Sequence, residues 1–346
     1  MTAHRTNKCT KCIHILLIVA ITGSGTVHGI EPISAITGTA IVTGIFGASN
    51  YFYCKFAECC DERSVPGNIG KLKESLSRTL FGQHIVQQYV VSALMAHLQS
   101  TNPSRKPLVM SFHGTPGTGK SFVADQIAEA LYLEGTKSKY VHKYLGRADF
   151  AHPSRLNEYK ERINNEVRKS IKECPRSLFI FDEVDKMPVG VFDTLTSFID
   201  YAANKGDADY TKAIFIFLSN TAGIEISDHL VRLMKSGKRR EDTKLSDFEK
   251  MLELSAYNME GGLKKTNMIE AHAIDHYVPF MALEKAHIVL CVEAEFERHG
   301  YRPTLKDIQQ VVNEAATYDP KHSMFVTSGC KTIEKKVAVV VYDNKT

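Results

Sequence analysis

The sequence predicts an α/β fold, with a central parallel sheet flanked by helices, a phosphate-binding loop and a small, mostly helical C-terminal domain. Three observations lead there. The stretch Gly114-Thr115-Pro116-Gly117-Thr118-Gly119-Lys120-Ser121 matches G-x-x-x-x-G-K-[ST], the loop that cradles nucleotide phosphates. Around it, apolar runs of strand length alternate with helical patterns, and that alternation makes a parallel sheet. From about residue 279 the pattern turns helical, over 283–299 and 304–317, ahead of a short β-like tail.

The N-terminus reads as a processing segment. His4, Arg5, Lys8 and Lys11 form a basic region, 13–21 is apolar apart from His14, and small and polar residues follow to Gly29. This is the pattern of a secretory signal peptide over 1–29, cut after Gly29 or near Gly25. Its apolar core is shorter than the roughly 20 residues that span a bilayer. The next segment, 30–56, has no acid or base between Ile33 and Lys55 but is rich in Gly, Ala, Thr and Ser. Monotopic association with a membrane surface fits it better than a full span.

Cys9 and Cys12 fall in the signal, so their spacing marks neither a metal nor a redox site. Cys54, Cys59 and Cys60 cluster after the apolar segment, and a secretory compartment lets them form at least one bridge or pair with another chain. Cys174, Cys291 and Cys330 stand alone in sequence and read as buried, inert residues.

In the mature chain, 61–70 is polar with Pro66 and Gly67 and reads as a linker. Residues 72–98 are helical, broken near Gly82. The run 108–112 is a buried strand entering the phosphate loop, and 122–133 is a helix leaving it, with Phe122, Val123, Ile127, Ala128 and Leu131 on one face. A second strand covers 140–145, and Ser154 caps a charged helix running to about 174. The run 177–181 is a third strand, 191–203 a helix, and 213–218 a strand ending in Ser219-Asn220. The large domain is expected over 57–281 and the small one over 282–346.

The chemistry follows from this placement. Glycines between a strand and a helix let the backbone turn sharply and aim N–H groups at an anion, at a helix N-terminus. Lys120 then reaches the β- and γ-phosphates, and Ser121 holds Mg²⁺. The strand 177–181 runs into Asp182 and Glu183 at its carboxyl end, where open α/β sheets bind ligands. Asp182 suits the Mg²⁺ shell and Glu183 the base that orients water. Asn220 sits where it would meet the γ-phosphate or the attacking water, although a strand-ending Asn is also an ordinary turn former.

The formal charge is only +4, and no basic stripe carries interleaved aromatics, which argues against nucleic acid as a partner. Lys238-Arg239-Arg240 is followed at once by Glu241 and Asp242 and reads as a solvated face.

Several stretches resemble the torsins, AAA+ ATPases related to the Clp/HSP100 group. They are SLFIFDEVDKM at 177–187, AIFIFLSN at 213–220, SGKRRED at 236–242 and Gly329-Cys330-Lys331. Further matches are Glu31-Pro32-Ile33-Ser34, Phe56-Ala57-Glu58-Cys59-Cys60 and Phe81-Gly82-Gln83-His84, so the resemblance covers nearly everything after the signal. It implies an AAA+ P-loop fold whose small domain covers the nucleotide as a lid. It implies a location in the lumen of the endoplasmic reticulum and the contiguous nuclear envelope. Lys120 and Ser121 match the nucleotide loop, Asp182 and Glu183 the metal and water acids, and Asn220 the sensor after the fourth core strand. Lys331 matches a basic sensor that reaches the γ-phosphate from the small domain. Cys291 and Cys330 match a cysteine pair that in this family forms a redox-sensitive disulfide.

The resemblance also implies ATP and Mg²⁺ as ligands, protein clients, a homo- or hetero-oligomer, and a membrane-anchored luminal activator that supplies an arginine finger in trans. Arg232, Arg239 and Arg240 are the residues of this chain with a claim to that role. The expected function is ATP-driven remodelling of proteins or membrane-associated complexes, with an ATP-dependent binding switch of little intrinsic hydrolysis as the alternative. Two departures matter. Torsins commonly carry Asn where this chain has Ser121, and Ser coordinates Mg²⁺ directly. Tyr144-Leu145-Gly146 resembles the aromatic pore loop of substrate-threading AAA+ proteins, which torsins lack; the other reading of Tyr144 and Leu145 is sheet core.

Overall fold

The computed structural model describes residues 54, 56–99, 102, 104–200 and 208–343. Residues 1–29, expected to be a signal peptide, and nearly all of the expected membrane-associating segment 30–56 lie outside them. The chain divides into two units, Met1–Glu58 and Cys59–Thr346, and the fold described below is that of the second.

Two helices open it, α1 (Ile69–Thr79) and α2 (His84–Gln99). They precede β1 (Leu108–Gly114), α3 (Lys120–Leu131), β2 (Val141–Leu145), α4 (Leu156–Glu173), β3 (Leu178–Asp182) and β4 (Ile214–Ser219). Then come α5 (Gly223–Lys235), α6 (Glu249–Asn258) and β5 (His276–Phe280). The chain closes with β6 (Leu283–Glu284), α7 (Lys285–Arg298), α8 (Leu305–Ala315), β7 (Phe325–Val326) and α9 (Ile333–Asp343). These helices have ten or more residues; shorter turns are named where they matter.

The main sheet is parallel, in the order β2-β3-β4-β1-β5. Strands covered on both faces read as near-continuous apolar runs, and β1 and β4 are buried throughout, the polar Ser111 and His113 of β1 being hydrogen-bonded to each other at 2.7 Å. One face carries in-register aromatic ladders. His142, Phe179 and Phe215 stack at 5.0 and 4.9 Å, and Tyr144, Phe181 and Phe217 at 4.8 and 5.2 Å. Helix α4 covers that face with Tyr159, Ile163, Val167 and Ile171, spaced four residues apart. Helices α1 to α3 pack on the other face. A separate core joins α7, α8 and α9 through Phe296, Val312 and Val337.

Several expectations are corrected. Tyr144 is not a pore-loop residue: it is buried in the aromatic ladder, and its hydroxyl donates to Glu166 Oε2 at 2.7 Å. Phe122 is 39 % exposed, because the apolar face of α3 is set by Val123, Ile127 and Leu131, and Phe122 lies off it. Ser154 does not cap α4; a 3-10 turn, Pro153–Arg155, precedes the helix, and its N-cap position is Arg155. The region after Gly190 is a 3-10 turn, Val191–Leu195, and a single α-turn, Thr196–Ile199. The β-like tail is mostly helix. Its Val-rich run 337–341 favours strand by propensity, but Ile333, Val337, Val340 and Val341 share one helical face against the small core, and packing outweighs propensity.

The stretch 61–70 is a fastened strap rather than a linker. Leu133 N–H donates to Ser64 O at 2.9 Å, Gly67 N–H to Leu131 O at 3.2 Å, and Arg176 to Val65 O at 3.0 Å. Cys60 is bridged to Cys174, with Cα atoms 5.3 Å apart, so Cys174 is not an inert lone thiol. Cys54 and Cys59 are disulfide-bonded as well. Among the described residues no helix is long and apolar enough to cross a membrane.

Candidate nucleotide site

The carboxyl ends of β1, β3 and β4 converge, and every residue singled out from the motifs lies at or next to one of them or on the small domain facing them. Three glycines shape the loop after β1. Gly114, Gly117 and Gly119 have φ of +158°, +80° and +105°, backbone that L side chains rarely adopt. A side chain at Gly117 would also run into the carbonyl of Ser328, and one at Gly114 into that of Phe280. Gly119 is the N-cap position of α3, so the loop delivers its N–H groups at a helix start.

Lys120 is 6 % exposed, and its ammonium donates to Gly114 O at 2.8 Å and Thr115 O at 2.9 Å. Burial draws its pKa down to about 8, against the pull of Asp182 and Asp185 and with the help of the Lys331 charge. A phosphate at the loop would supply the counter-charge that burial leaves wanting.

Ser121 Oγ donates to Asp182 Oδ2 at 2.7 Å, and Asp182 Oδ1 accepts the Glu183 N–H at 2.9 Å. A hydroxyl and a carboxylate oxygen so close together suit a hard oxygen-seeking cation, which takes one or two protein oxygens and completes its shell with phosphate and water. Glu183 follows with φ of +56°, and Ala222, just before α5, has φ of +62°. Non-glycine residues in the left-handed region cost energy and gather where function requires them. Arg147 Nε lies 3.6 Å from Glu183 Oε1, and Gly146 is so close to the Glu183 carbonyl that no side chain fits.

Asn220 stands just past β4, its N–H donating to Asp185 Oδ1 at 3.1 Å. Lys331 reaches the same region from the small domain. Cys330 N–H donates to Gly117 O at 3.1 Å, and Gly329, at φ of +55°, lies on the Gly117 backbone. Cys330 is bridged to Cys291 of α7, with Cα atoms 6.2 Å apart, inside the limit of about 7 Å for a bridge without backbone movement. The structure therefore brings Lys120, Ser121, Asp182, Glu183, Asn220, Lys331 and the Cys291–Cys330 bridge together.

The candidate arginine fingers fare differently. Arg240 is 4 % exposed and spent on Gly82 O, Ala282 O and Glu284, so it cannot reach a neighbouring molecule. Arg239 pairs with Asp242, and Arg232 lies 3.2 Å from His229 Nδ1.

The sequence offers no role for Gln83, Asp185 or Arg147. Gln83 is fully buried; it donates to Thr118 O and Met281 O and accepts from Met281 N–H, tying the phosphate loop to the chain that leaves β5 for the small core. Its signal was Phe81-Gly82-Gln83-His84, noted only as a resemblance. Asp185 had a signal too, as a third acid in Asp182-Glu183-Val184-Asp185. Arg147 had none.

The "Torsin" family model matches residues 54–181, and the "Torsin-1A, C-terminal domain" model matches 283–339. A torsin-like protein of Drosophila melanogaster is 54 % identical over 335 residues, covering 96 % of this chain and 97 % of its own. The chain belongs to the torsin family. A torsin-like protein of Caenorhabditis elegans is 36 % identical over 318 residues, covering 88 % of this chain and 89 % of its own. Among solved structures, the S. cerevisiae Hsp104–ADP complex superposes with a TM-score of 0.53 at 17 % identity, covering 84 % of this torsin. A closed-state reconstruction of Hsp104 with ATPγS and FITC-casein does so with 0.53 at 15 %, covering 80 %. This torsin spans about half of those chains, 50 % and 46 %, and at such identity the likeness establishes the AAA+ fold alone. The family makes it an AAA+ protein of the ATPase type.

Proposed function

We propose that this torsin hydrolyses ATP in the lumen of the endoplasmic reticulum and nuclear envelope, attached to the membrane surface, and uses the cycle to remodel proteins or membrane-associated complexes. One observation carries the catalytic part: Ser121 and Asp182 are bonded at 2.7 Å, with Glu183 next in the chain and Lys120 preceding Ser121. That is the full set needed to hold a metal–triphosphate and a water.

In this reading, residues 114–121 donate backbone N–H groups to the phosphates, and Lys120 exchanges its bonds to the Gly114 and Thr115 carbonyls for phosphate oxygens. Ser121 and Asp182 would hold Mg²⁺, which when bound offsets the phosphate charge. The Glu183 carboxylate accepts a proton from the attacking water. Asn220 and Lys331 touch the γ-phosphate from the sheet and from the small domain, whose boundary we place at 281/282. The buried Arg240 and the paired Arg239 favour a finger supplied in trans by a membrane-anchored luminal activator, within a homo- or hetero-oligomer. The Cys60–Cys174 bridge and the N-terminal signal pattern support the lumen, because such bonds persist in oxidising compartments.

A second reading is an ATP-dependent binding switch with little turnover of its own. Arg147 at 3.6 Å from Glu183 favours it, as an engaged carboxylate is a poorer base. The test compares Lys120→Ala with Glu183→Gln, measuring retained nucleotide and phosphate release with and without luminal membrane extract. Lys120→Ala should retain no nucleotide; Glu183→Gln should retain ATP without hydrolysing it. Wild-type turnover in Glu183→Gln would remove Glu183 from the mechanism.

A further inference from the structure

Asp185 is given no contact with nucleotide above, although its charge acts on Lys120. It lies in the 3-10 turn Val184–Lys186, its side chain only 6 % exposed. Oδ1 accepts the Asn220 N–H at 3.1 Å, and Oδ2 lies 3.1 Å from the Lys186 ammonium. A carboxylate so far from water is costly unless its oxygens are engaged, and here one of them is committed to the backbone of the candidate γ-phosphate sensor.

The contact is braced on both sides. Behind Asp185, Gly261 has φ of +124° and lies so close that a Cβ there would stand 2.5 Å from the Asp185 Cα. Its neighbour Gly262 donates to Val184 O at 2.8 Å. Ahead, the turn from Asn220 passes through the left-handed Ala222 to Gly223, where a Cβ would lie 2.6 Å from Thr115 Cγ2 of the phosphate loop. A chain of close contacts and hydrogen bonds thus runs from the 261–262 turn through Asp185 and Asn220 to Thr115.

We infer that Asp185 is a positioning residue for recognition of the γ-phosphate. It holds the Asn220 turn at a set distance from the phosphate loop, so that the Asn220 side chain meets the terminal phosphate of ATP. ADP lacks that phosphate and does not depend on the setting. Asp185 therefore governs the preference for ATP over ADP rather than nucleotide affinity as such. The inference rests on the assignment of Asn220 proposed above.

The experiment uses the full chain carrying Glu183→Gln, so that ATP persists, and measures Kd for MgATP and MgADP by displacement of a fluorescent nucleotide. Asp185→Ala should lower the ATP:ADP preference about tenfold and leave ADP affinity within about twofold. Asn220→Ala should do the same, and the double variant should lose no more than either alone, since residues acting through one contact are not additive. Asp185→Asn keeps an acceptor for the Asn220 N–H and should retain most of the preference. Asp185→Ser, too short to reach that N–H, stands in should the alanine variant not fold, and is held to the same outcome. Equal loss of ATP and ADP affinity, or additive losses in the double variant, would overturn the inference. A preference lost in Asn220→Ala but kept in Asp185→Ala would overturn it alone. A preference untouched by Asn220→Ala would remove the Asn220 assignment and this inference with it.

Discussion

The two ends of the parallel sheet are built to opposite rules. At the amino ends of β3 and β4 the strap over 60–67 is bonded to α3, to Arg176 and, through Cys60–Cys174, to the end of α4. At the carboxyl ends, Lys120 is buried on two carbonyls, Glu183 and Ala222 sit in left-handed backbone, and His113 Nδ1 has no hydrogen-bond partner although buried. Among the described residues, two of the four non-glycine residues in left-handed backbone lie at this end, beside the buried His113, and the clamp sits at the far end. Stability and function are thereby separated along the length of one sheet, and substitutions at the two ends should separate the two properties.

The largest separation is expected from Lys120→Ala. It should remove nucleotide binding, a loss of about 2–5 kcal/mol or more for a buried charge that meets phosphate. The melting temperature without nucleotide should hold or rise, because the variant no longer buries an ammonium. Titration calorimetry and thermal melts on the same samples check both halves. A fall of several degrees with no change in affinity would reverse the assignment of this end.

The opposite result is expected at the clamp. Cys174→Ser opens a bridge between residues 114 positions apart. It should cost about 2–5 kcal/mol of unfolding free energy, while ADP affinity of the folded fraction stays within about twofold of wild type. Denaturant unfolding with and without reductant measures the cost, and wild type under reductant should approach the variant.

Below these comes an acid effect. His113 is wholly buried on β1, and burial, reinforced by the Lys120 charge, draws its pKa from 6.5 down to about 3. The folded state therefore keeps it neutral while the unfolded chain takes up a proton below about pH 6.5. Stability from this group is fully present above that pH and drains away as pH falls toward the folded value, by at most about 1.4 kcal/mol per pH unit. His113→Gln should flatten the stability–pH curve between about pH 6.5 and pH 4 relative to wild type. An unchanged slope would mean that the imidazole is already protonated in the fold.

The smallest effect belongs to the bridge beside the nucleotide. Cys291–Cys330 spans only 39 positions, and Cys330 N–H is bonded to Gly117 O. Opening it should shift Lys331 against the phosphate loop and change ADP and ATP affinity by a few-fold, since displacements of about 1 Å matter at such a site. Cys330→Ser should abolish the difference between oxidised and reduced protein. Affinity indifferent to redox state would make this bridge a second structural clamp, and the contrast between the two ends would narrow to Lys120.

The sequence by itself determined the chemistry-bearing loop and strand ends. A glycine-rich turn, a buried strand and an acid at its carboxyl end are local patterns, and 114–121, Asp182, Glu183 and Asn220 could be placed from them. What it left open depended on distant partners. Tyr144 looks alike as pore loop or core until Phe181 is stacked on it, and Cys174 looks inert until the strap returns Cys60 to it. The valines of α9 read as strand until a small core asks for one helical face. Asp185 was visible as an acid, but its bond to Asn220 joins residues 35 positions apart. Local pattern decides which groups a segment offers; only the packing of remote segments decides which of them meet. Burial and hydrogen bonding act through space, and the tertiary structure made those choices.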